Sequence, residues 1–416
     1  MSQPGAPSRR VGMSTQKTPS TARMQVLVVG AGYAGATAAV RLAGRARNRV
    51  DVTVVNPRPR FVNRLRLHQI AMGRAVPAPA LRDLLGAGVT LVEGTVAELD
   101  PDAGRATVTG PEGVRDLAVD RVVIAAGSTT TVPVPGAGHV HAVGDLESAH
   151  RLRPAFAALP AGAQVSVVGG GFTGLETVAE LAETRPDVAV RLVTSGEVGG
   201  WFTPDGRAHV RETLDGLGVA LIGGTRVRAV ERDRLLLEGG HVVPSDLTVW
   251  CGGFAAPPLA RQAGIAVDER GAVLTDGTLR SLSHPAVLAV GDAGHAPSPG
   301  GDRYSMSCQY AFPSAAHAAD LLRAEALGLP DAGAPLDLGF TARVVSLGRR
   351  HAVLQPTTKE DVARGRAWTG RAAVLAKNVQ VRGTARAVGV ERRLPGVVRW
   401  PHAERAARAV RGEPAA

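Results

Sequence analysis

Cysteine is nearly absent from this chain of 416 residues: Cys251 and Cys308 are the two that occur. They stand far apart, in no C-x-x-C or C-x-x-x-x-C spacing, which excludes a disulfide scaffold, a cysteine zinc site and a redox-active cysteine pair. Aromatic residues make up only 3%, too few for the stacking platforms that bind single-stranded nucleic acid, so no nucleic-acid partner is expected. No window approaches the roughly 18 consecutive apolar residues of a membrane-spanning helix. Acidic residues are the minority charge, 37 Asp+Glu against 48 Lys+Arg, a formal +11. The basic residues are nearly all arginine and scattered, which suits anionic cofactors, an anionic membrane surface or simply an arginine-rich composition.

What remains is a globular composition, 44% hydrophobic and 20% charged, long enough for two or three domains with proper cores. Residues 1–23 are polar and rich in Ser, Pro, Thr and Arg, and read as a disordered tail or an early start. Their Arg9-Arg10 pair lacks the apolar stretch of an export signal, so a cytoplasmic location is expected.

The apolar run at 25–29 leads into VLVVGAGYAG, then a small-residue helix pattern, then the strand DVTVVN at 51–56, one βαβ unit of the usual length. A second unit starts at 164 with VSVVGGGFTGLE and closes with VAVRLVT at 188–194. Between them, VTLVEGTVAELD (89–100), RATVTG and VRDLAVD suggest a small antiparallel sheet that precedes the strand RVVIAAG (121–127). The same grammar recurs after the second unit in VALIGGTRVRAVERDRLLLEGG (219–240) and DLTVWCGG (246–253), so the chain carries an internal duplication. A further strand, AVLAVGDAGH (286–295), must join one of the sheets. Residues 315–328 read as helix, 340–355 as a hairpin, and 395–416 as a surface helix bearing Trp400.

Each G-x-G-x-x-G follows a strand and opens a helix. In such a turn the first glycine bends the chain tightly, the second admits a pyrophosphate and the third lets helix and strand pack closely, with the phosphates at the positive helix end. Gly30, Gly32 and Gly35 take these places in the first unit, Gly169, Gly171 and Gly174 in the second. The acidic residue that usually ends the second strand and binds the ribose hydroxyls is Asn56 in one unit and Thr194 in the other. Asn can still bond a hydroxyl, whereas Thr194 with Glu197 nearby and no adjacent arginine leaves NADH and NADPH both open.

On these motifs residues 24–330 resemble the pyridine nucleotide–disulfide oxidoreductase superfamily, which implies an α/β fold of two Rossmann-like domains and a smaller C-terminal α+β domain. The implied division is an FAD-binding domain of 24–138 with 254–330, an NAD(P)H-binding domain of 139–253, and a C-terminal domain of 331–416. IAAGS (124–128) is similar to the family's A-T-G segment, with Ala126 for Thr, and AVGDAGH to its G-D motif, whose aspartate, here Asp292, binds a ribityl hydroxyl. The missing cysteine pair sets aside the disulfide reductase branch and leaves a likeness to type II NADH dehydrogenases. There Gly171, Gly174 and Glu176 match G-x-x-G-x-E beside the nicotinamide. Cys308-Gln309-Tyr310-Ala311-Phe312-Pro313 stands for A-Q-x-A-x-Q, with Pro313 in place of the second glutamine and suited to a first helical turn.

The resemblance implies FAD and NADH or NADPH as cofactors, with Glu176 and Gln309 as candidate catalytic residues. Its implied cofactor contacts are Gly30, Gly32, Tyr33, Ala34, Gly35, Asn56, Arg66, Val96, Ala126, Gly127, Gly291 and Asp292 for FAD, and Gly169, Gly171, Phe172, Thr173, Gly174, Thr194 and Gly253 for the nucleotide. Glu176, near a helix start, can equally be a structural group satisfied by the helix dipole. Cys308 reads as a small packed residue. Arg64, Arg66, His68 and Gln69 either hold an acceptor or coat a helix. His139, His141 and His150 lack ligand spacing and read as surface residues, so no metal is expected. Three functions fit: a dehydrogenase reducing a quinone or other small acceptor, a flavoprotein acting on an organic metabolite, or a flavin-bound redox sensor or scaffold. A homodimer and weak peripheral membrane contact are compatible with each.

Overall fold

The computed structural model describes residues 23–298 and 303–403. Its frame is two five-stranded parallel sheets. Their strands are β1 (Met24–Val29), β2 (Val50–Asn56), β3 (Thr90–Glu93), β4 (Arg121–Ile124), β5 (Val140–Ala142), β6 (Gln164–Val168), β7 (Ala189–Val193), β8 (Ala220–Ile222), β9 (Leu247–Trp250) and β10 (Val287–Ala289). One sheet has the order β3-β2-β1-β4-β10 and the other β8-β7-β6-β9-β5, so each position in one has a counterpart in the other. The duplicated grammar of the sequence is thus a duplicated sheet. Only the outermost strand differs in origin: β10 follows the second unit in sequence and β5 precedes it.

Continuous apolar strands are what a parallel sheet covered on both faces requires. Along β1, Val26 and Val28 enter one core and Leu27 and Val29 the core on the opposite face. The first of these cores is closed by helices α1 (Tyr33–Arg45) and α4 (Cys308–Leu327). In the second unit, α3 (Phe172–Thr184) covers β6 and β7 through Leu175, Val178, Ala179 and Leu181. A short helix, α2 (Leu67–Ala71), comes from the first unit yet buries Leu67 and Ala71 in the core of the second.

Two expectations are corrected. Thr90–Glu93 lies parallel beside β2 and forms the edge of the main sheet, while the antiparallel meander comprises 95–100, 105–110 and 113–118. The long C-terminal helix α5 occupies Gly370–Arg393, ahead of the expected 395–416; Trp400 lies outside any helix, and residues 404–416 fall outside the described residues.

The hairpin of β11 (Ala342–Leu347) and β12 (His351–Pro356) inserts Val345, Leu347 and Val353 into the second unit's core, while Val388 of α5 is buried in the first unit's. Burial of each such side chain stabilises by about 1.5–3 kcal/mol. The C-terminal segment therefore packs on both units. Buried Arg41 on α1 reinforces this by pairing with Asp320 on α4 at 2.7 Å and with fully buried Glu391 on α5 at 2.8 Å.

Candidate functional site: two glycine turns and a shared pocket

At the carboxyl ends of β1 and β4 lies a pocket of about 360 Å³. Its floor is the first glycine turn. Gly30 has φ +98°, and a Cβ there would lie 2.6 Å from the Ala125 carbonyl oxygen; Gly35 lies under the turn, where a Cβ would collide with the Gly30 carbonyl. Gly32 caps α1 without a side chain, and nothing lies within 4 Å of where its Cβ would be. The first amides of α1 thus face open space with a positive helix end behind them, the arrangement that receives an anionic phosphate.

Tyr33, Ala34, Asn56, Ala126, Gly127, Gly291 and Asp292 line this same pocket. Asn56 does more than end a strand: its Oδ1 accepts from Ala31 N at 3.0 Å and its Nδ2 donates to the Arg58 carbonyl at 2.7 Å. Ser128 Oγ donates to Asp292 Oδ2 at 2.6 Å, and Ser314 Oγ accepts from Gly291 N at 3.0 Å. These serines, which brace the aspartate loop, drew no attention in the sequence. The N-terminus of α4 also opens on the pocket, capped by Ser307, whose Oγ accepts from Tyr310 N. Cys308 sits there with its thiol pushed up by burial. Pro313 falls in the second turn of α4, not the first, so its missing N–H interrupts the helix ladder there.

The cradle fits an FAD: an open, amide-lined glycine turn for the pyrophosphate, a carboxylate at Asp292 for a hydroxyl, and apolar walls from Tyr33, Leu65 and Ala311.

The second turn repeats the first. Gly169 has φ +116° and approaches the Cys251 backbone, Gly171 caps α3 with nothing within 4 Å, and Gly174 lies beneath. Its surroundings are open. Phe172 packs edge-on against Trp201, which is 55% exposed, and the Arg343 guanidinium lies 5.0 Å from the Trp201 ring centre. Thr194 is buried beside Gly170. Folding supplies the arginines that the local sequence lacks: Arg207 pairs with Glu197, and Arg211 shares a shallow surface pocket with Ser195, Gly196 and Glu197. Gly253, at φ +69°, lies against the Thr131 carbonyl rather than in the first pocket.

The two turns meet. Thr173, the second residue of α3, lines the first pocket, together with Val143, Gly144 and Asp145 of the second unit.

Four candidates fall elsewhere. Val96 lies within the antiparallel meander, buried in the core it covers, and Arg66 faces a different pocket, with His68, Lys377 and Arg382. Gln309 uses its amide to donate to the Ala342 carbonyl at 2.6 Å, which ties α4 to the hairpin. Glu176, only 7% exposed, is beyond reach of the helix end and is satisfied differently. It pairs with Lys377 Nζ at 2.7 Å and accepts from Ser346 N and Oγ at 3.1 and 3.0 Å. Burial alone would raise its pKa, but the Lys377 ammonium, helped by the Ser346 amide, outweighs that and holds it below the usual carboxylate range. Burial, assisted by Lys377 and Arg66, depresses His68 and favours its neutral form. Lys377 was missed, although it is one of three lysines in a chain that otherwise uses arginine. Of the three histidines read as surface residues, His141 is half-buried in β5.

Residues 24–315 match the pyridine nucleotide-disulphide oxidoreductase family. An NADH dehydrogenase-like protein of Mycobacterium tuberculosis is 32% identical over 376 residues, 81% of this chain and 92% of its own length. A demethylphylloquinone reductase of Synechocystis is 26% identical, over 74% of this chain and 81% of that protein. Among solved structures, NDH2 of Plasmodium falciparum in complex with NADH superposes with a TM-score of 0.74 at 14% identity, over 89% of this chain and 98% of that one. The sulfide:quinone oxidoreductase of Aquifex aeolicus gives 0.72 at 19%, over 88% and 92%.

Proposed function

The chain belongs to the pyridine nucleotide-disulphide oxidoreductase family, and from that premise we propose that it is an FAD-dependent NAD(P)H dehydrogenase whose electrons go to a quinone-class acceptor. One observation carries the reading: Thr173, beside the second glycine turn, lines the pocket floored by the first. A nucleotide on one turn and a flavin on the other would therefore meet in a single cavity. The named activities of the relatives, demethylphylloquinone reduction among them, support the acceptor class.

FAD, when bound, supplies a two-electron carrier between nucleotide and acceptor. The chain supplies position and field. Gly30, Gly32 and the α1 amides would hold its pyrophosphate, and Asp292, steadied by Ser128, would hold a hydroxyl. Tyr33 and Leu65 exclude water from one wall, and the α4 N-terminus directs its positive end into the cavity. Gly171 and the α3 amides would hold the nucleotide phosphates. Holding two reacting rings together can remove on the order of 7–11 kcal/mol of barrier, so no further catalytic constellation is required.

No helix among the described residues is long and apolar enough to cross a membrane. Leu375 and Val379, one turn apart on α5, are exposed with Trp368 nearby, which supports peripheral contact with a lipid surface; vesicle cosedimentation that Leu375→Ser and Val379→Ser together abolish would test it.

The functional test is stopped-flow bleaching of the purified yellow protein by NADH and by NADPH, followed by reoxidation with a menaquinone analogue. Bleaching and reoxidation are expected. A protein that stays colourless after reconstitution with FAD, or one that neither nucleotide bleaches, would overturn the proposal.

A further inference from the structure

Leu65 is a wall of two cavities. One is the glycine-turn pocket; the other, of about 300 Å³, is enclosed by α2, the β11–β12 hairpin and α5. Arg66, Arg349, Lys377 and Arg382 line this second cavity together with His68 and His351, and no carboxylate lines it. Two of the cations are matched from behind: Lys377 by Glu176, and Arg349 by Glu180 and Glu183. Arg66 and Arg382 have no acidic partner among the described residues. His68, neutral by burial, adds no charge. The cavity therefore carries two unmatched guanidinium groups, one residue away from the pocket that fits the flavin.

A neutral quinone would form no ion pair with half-buried Arg66 or exposed Arg382, whereas a carboxylate or sulfonate on the ring would take charge-assisted hydrogen bonds from them. We propose that this second cavity is the acceptor site and that it selects a quinoid acceptor bearing an acidic group, held by Arg66 and Arg382 with its ring toward Leu65. The proposal rests on the dehydrogenase reading above. Overall, NAD(P)H gives up a C–H bond as two electrons and one proton, solvent supplies the second proton, and the quinone gains two O–H bonds to become a hydroquinone, leaving NAD(P)⁺.

The test uses the FAD-loaded protein and two kinds of probe. By calorimetry, redox-inert naphthalene-2-sulfonate should bind about tenfold more tightly than 2-naphthalenemethanol at low salt, and the margin should shrink at high salt. In turnover, 1,4-naphthoquinone-2-sulfonate should show a KM about tenfold below that of 1,4-naphthoquinone. Arg382→Gln should collapse that preference, and Arg382→Glu, at an exposed position that does not endanger folding, should reverse it. Equal binding of the two inert probes, or an unchanged preference in Arg382→Glu, would overturn the proposal. So would phosphatidylglycerol vesicles that bind through Arg382 while naphthalene-2-sulfonate does not bind, an outcome that gives the cations to a membrane surface. Flavin bleaching by NADH separates the two readings: its loss defeats the dehydrogenase assignment, whereas bleaching without preference for the sulfonate defeats this one alone.

Discussion

The two glycine turns are built alike and covered differently. Both begin with a left-handed glycine, both cap a helix with a glycine that leaves open space, and both fold a third glycine under the turn. The first lies at the bottom of a pocket walled by the α4 N-terminus, the Asp292 loop and residues of the opposite unit. The second has an exposed Trp201 and a shallow rim for neighbours. On the proposed reading, one kind of turn would serve a retained group at the first site and an exchanging one at the second, because retention depends on the walls around a ligand rather than on the turn beneath it.

The sharpest way to break the comparison is a matched pair. Gly32 and Gly171 have φ of −71° and −72°, within reach of any residue, and empty space beside them. Valine at either site should leave the fold intact at the cost of about 1 kcal/mol of capping, while it fills the place a phosphate needs. Gly32→Val should lose essentially all flavin on purification. Gly171→Val should stay yellow and resist bleaching by NADH. Absorbance at the flavin band reads both, and a colourless Gly171→Val protein would end the division of labour argued here.

A second prediction concerns the seam where the two units and the C-terminal segment meet. Lys377→Met strands a buried carboxylate at Glu176 and should destabilise the protein by about 3–5 kcal/mol. The pH dependence follows from the sign of the shift. Glu176 is depressed in the folded state, so its contribution is present above the unfolded carboxylate value of about 4.3 and is lost as pH falls through the folded one. Without Lys377 burial dominates and lifts the folded pKa above the unfolded one, so the sign reverses: the variant should lose stability as pH rises toward neutrality and regain it as pH falls toward about 4.3. Denaturant melts across pH check it; a Lys377→Met protein with the wild-type acid limb would show that the pair does not set the carboxylate's state.

That seam is also where the sequence was hardest to interpret. The turns were legible because each is a local signal, a strand, three glycines and a helix within a dozen residues. Asp292 was singled out through the resemblance of AVGDAGH to the family's G-D motif, helped by its place after the second unit. Glu176 gave no sign of its partner because Lys377 lies in a different part of the chain, on a helix whose Gly383, Gly389 and several valines dilute the helical pattern. Arg66 was singled out as a cofactor contact, yet one residue of helical phase decides that Leu65 faces both cavities and Arg66 only the second. Such choices belong to packing, not to local propensity.

The rim of the second turn gives a smaller effect. Glu197 is neutralised by Arg207, and Arg211 stands beside it without a paired carboxylate among the described residues, so a 2′-phosphate meets attraction rather than repulsion. NADPH should be accepted, and Arg211→Ala should raise the KM for NADPH about fivefold more than that for NADH, as rim charges contribute modestly. Equal shifts would move the adenosine end away from this surface.

The smallest effect tests exposure itself. Trp201 lies over the Phe172 edge with Arg343 against it, a stack worth on the order of 0.5–1 kcal/mol at an exposed site. Trp201→Ala should therefore raise the KM for the nucleotide by about threefold and leave flavin retention untouched. In the wild type, NADH binding should quench tryptophan fluorescence, and the change should vanish in the variant. If Trp201→Ala instead released flavin, the second turn would be a wall of the first site, and its open side would no longer mark the place of exchange.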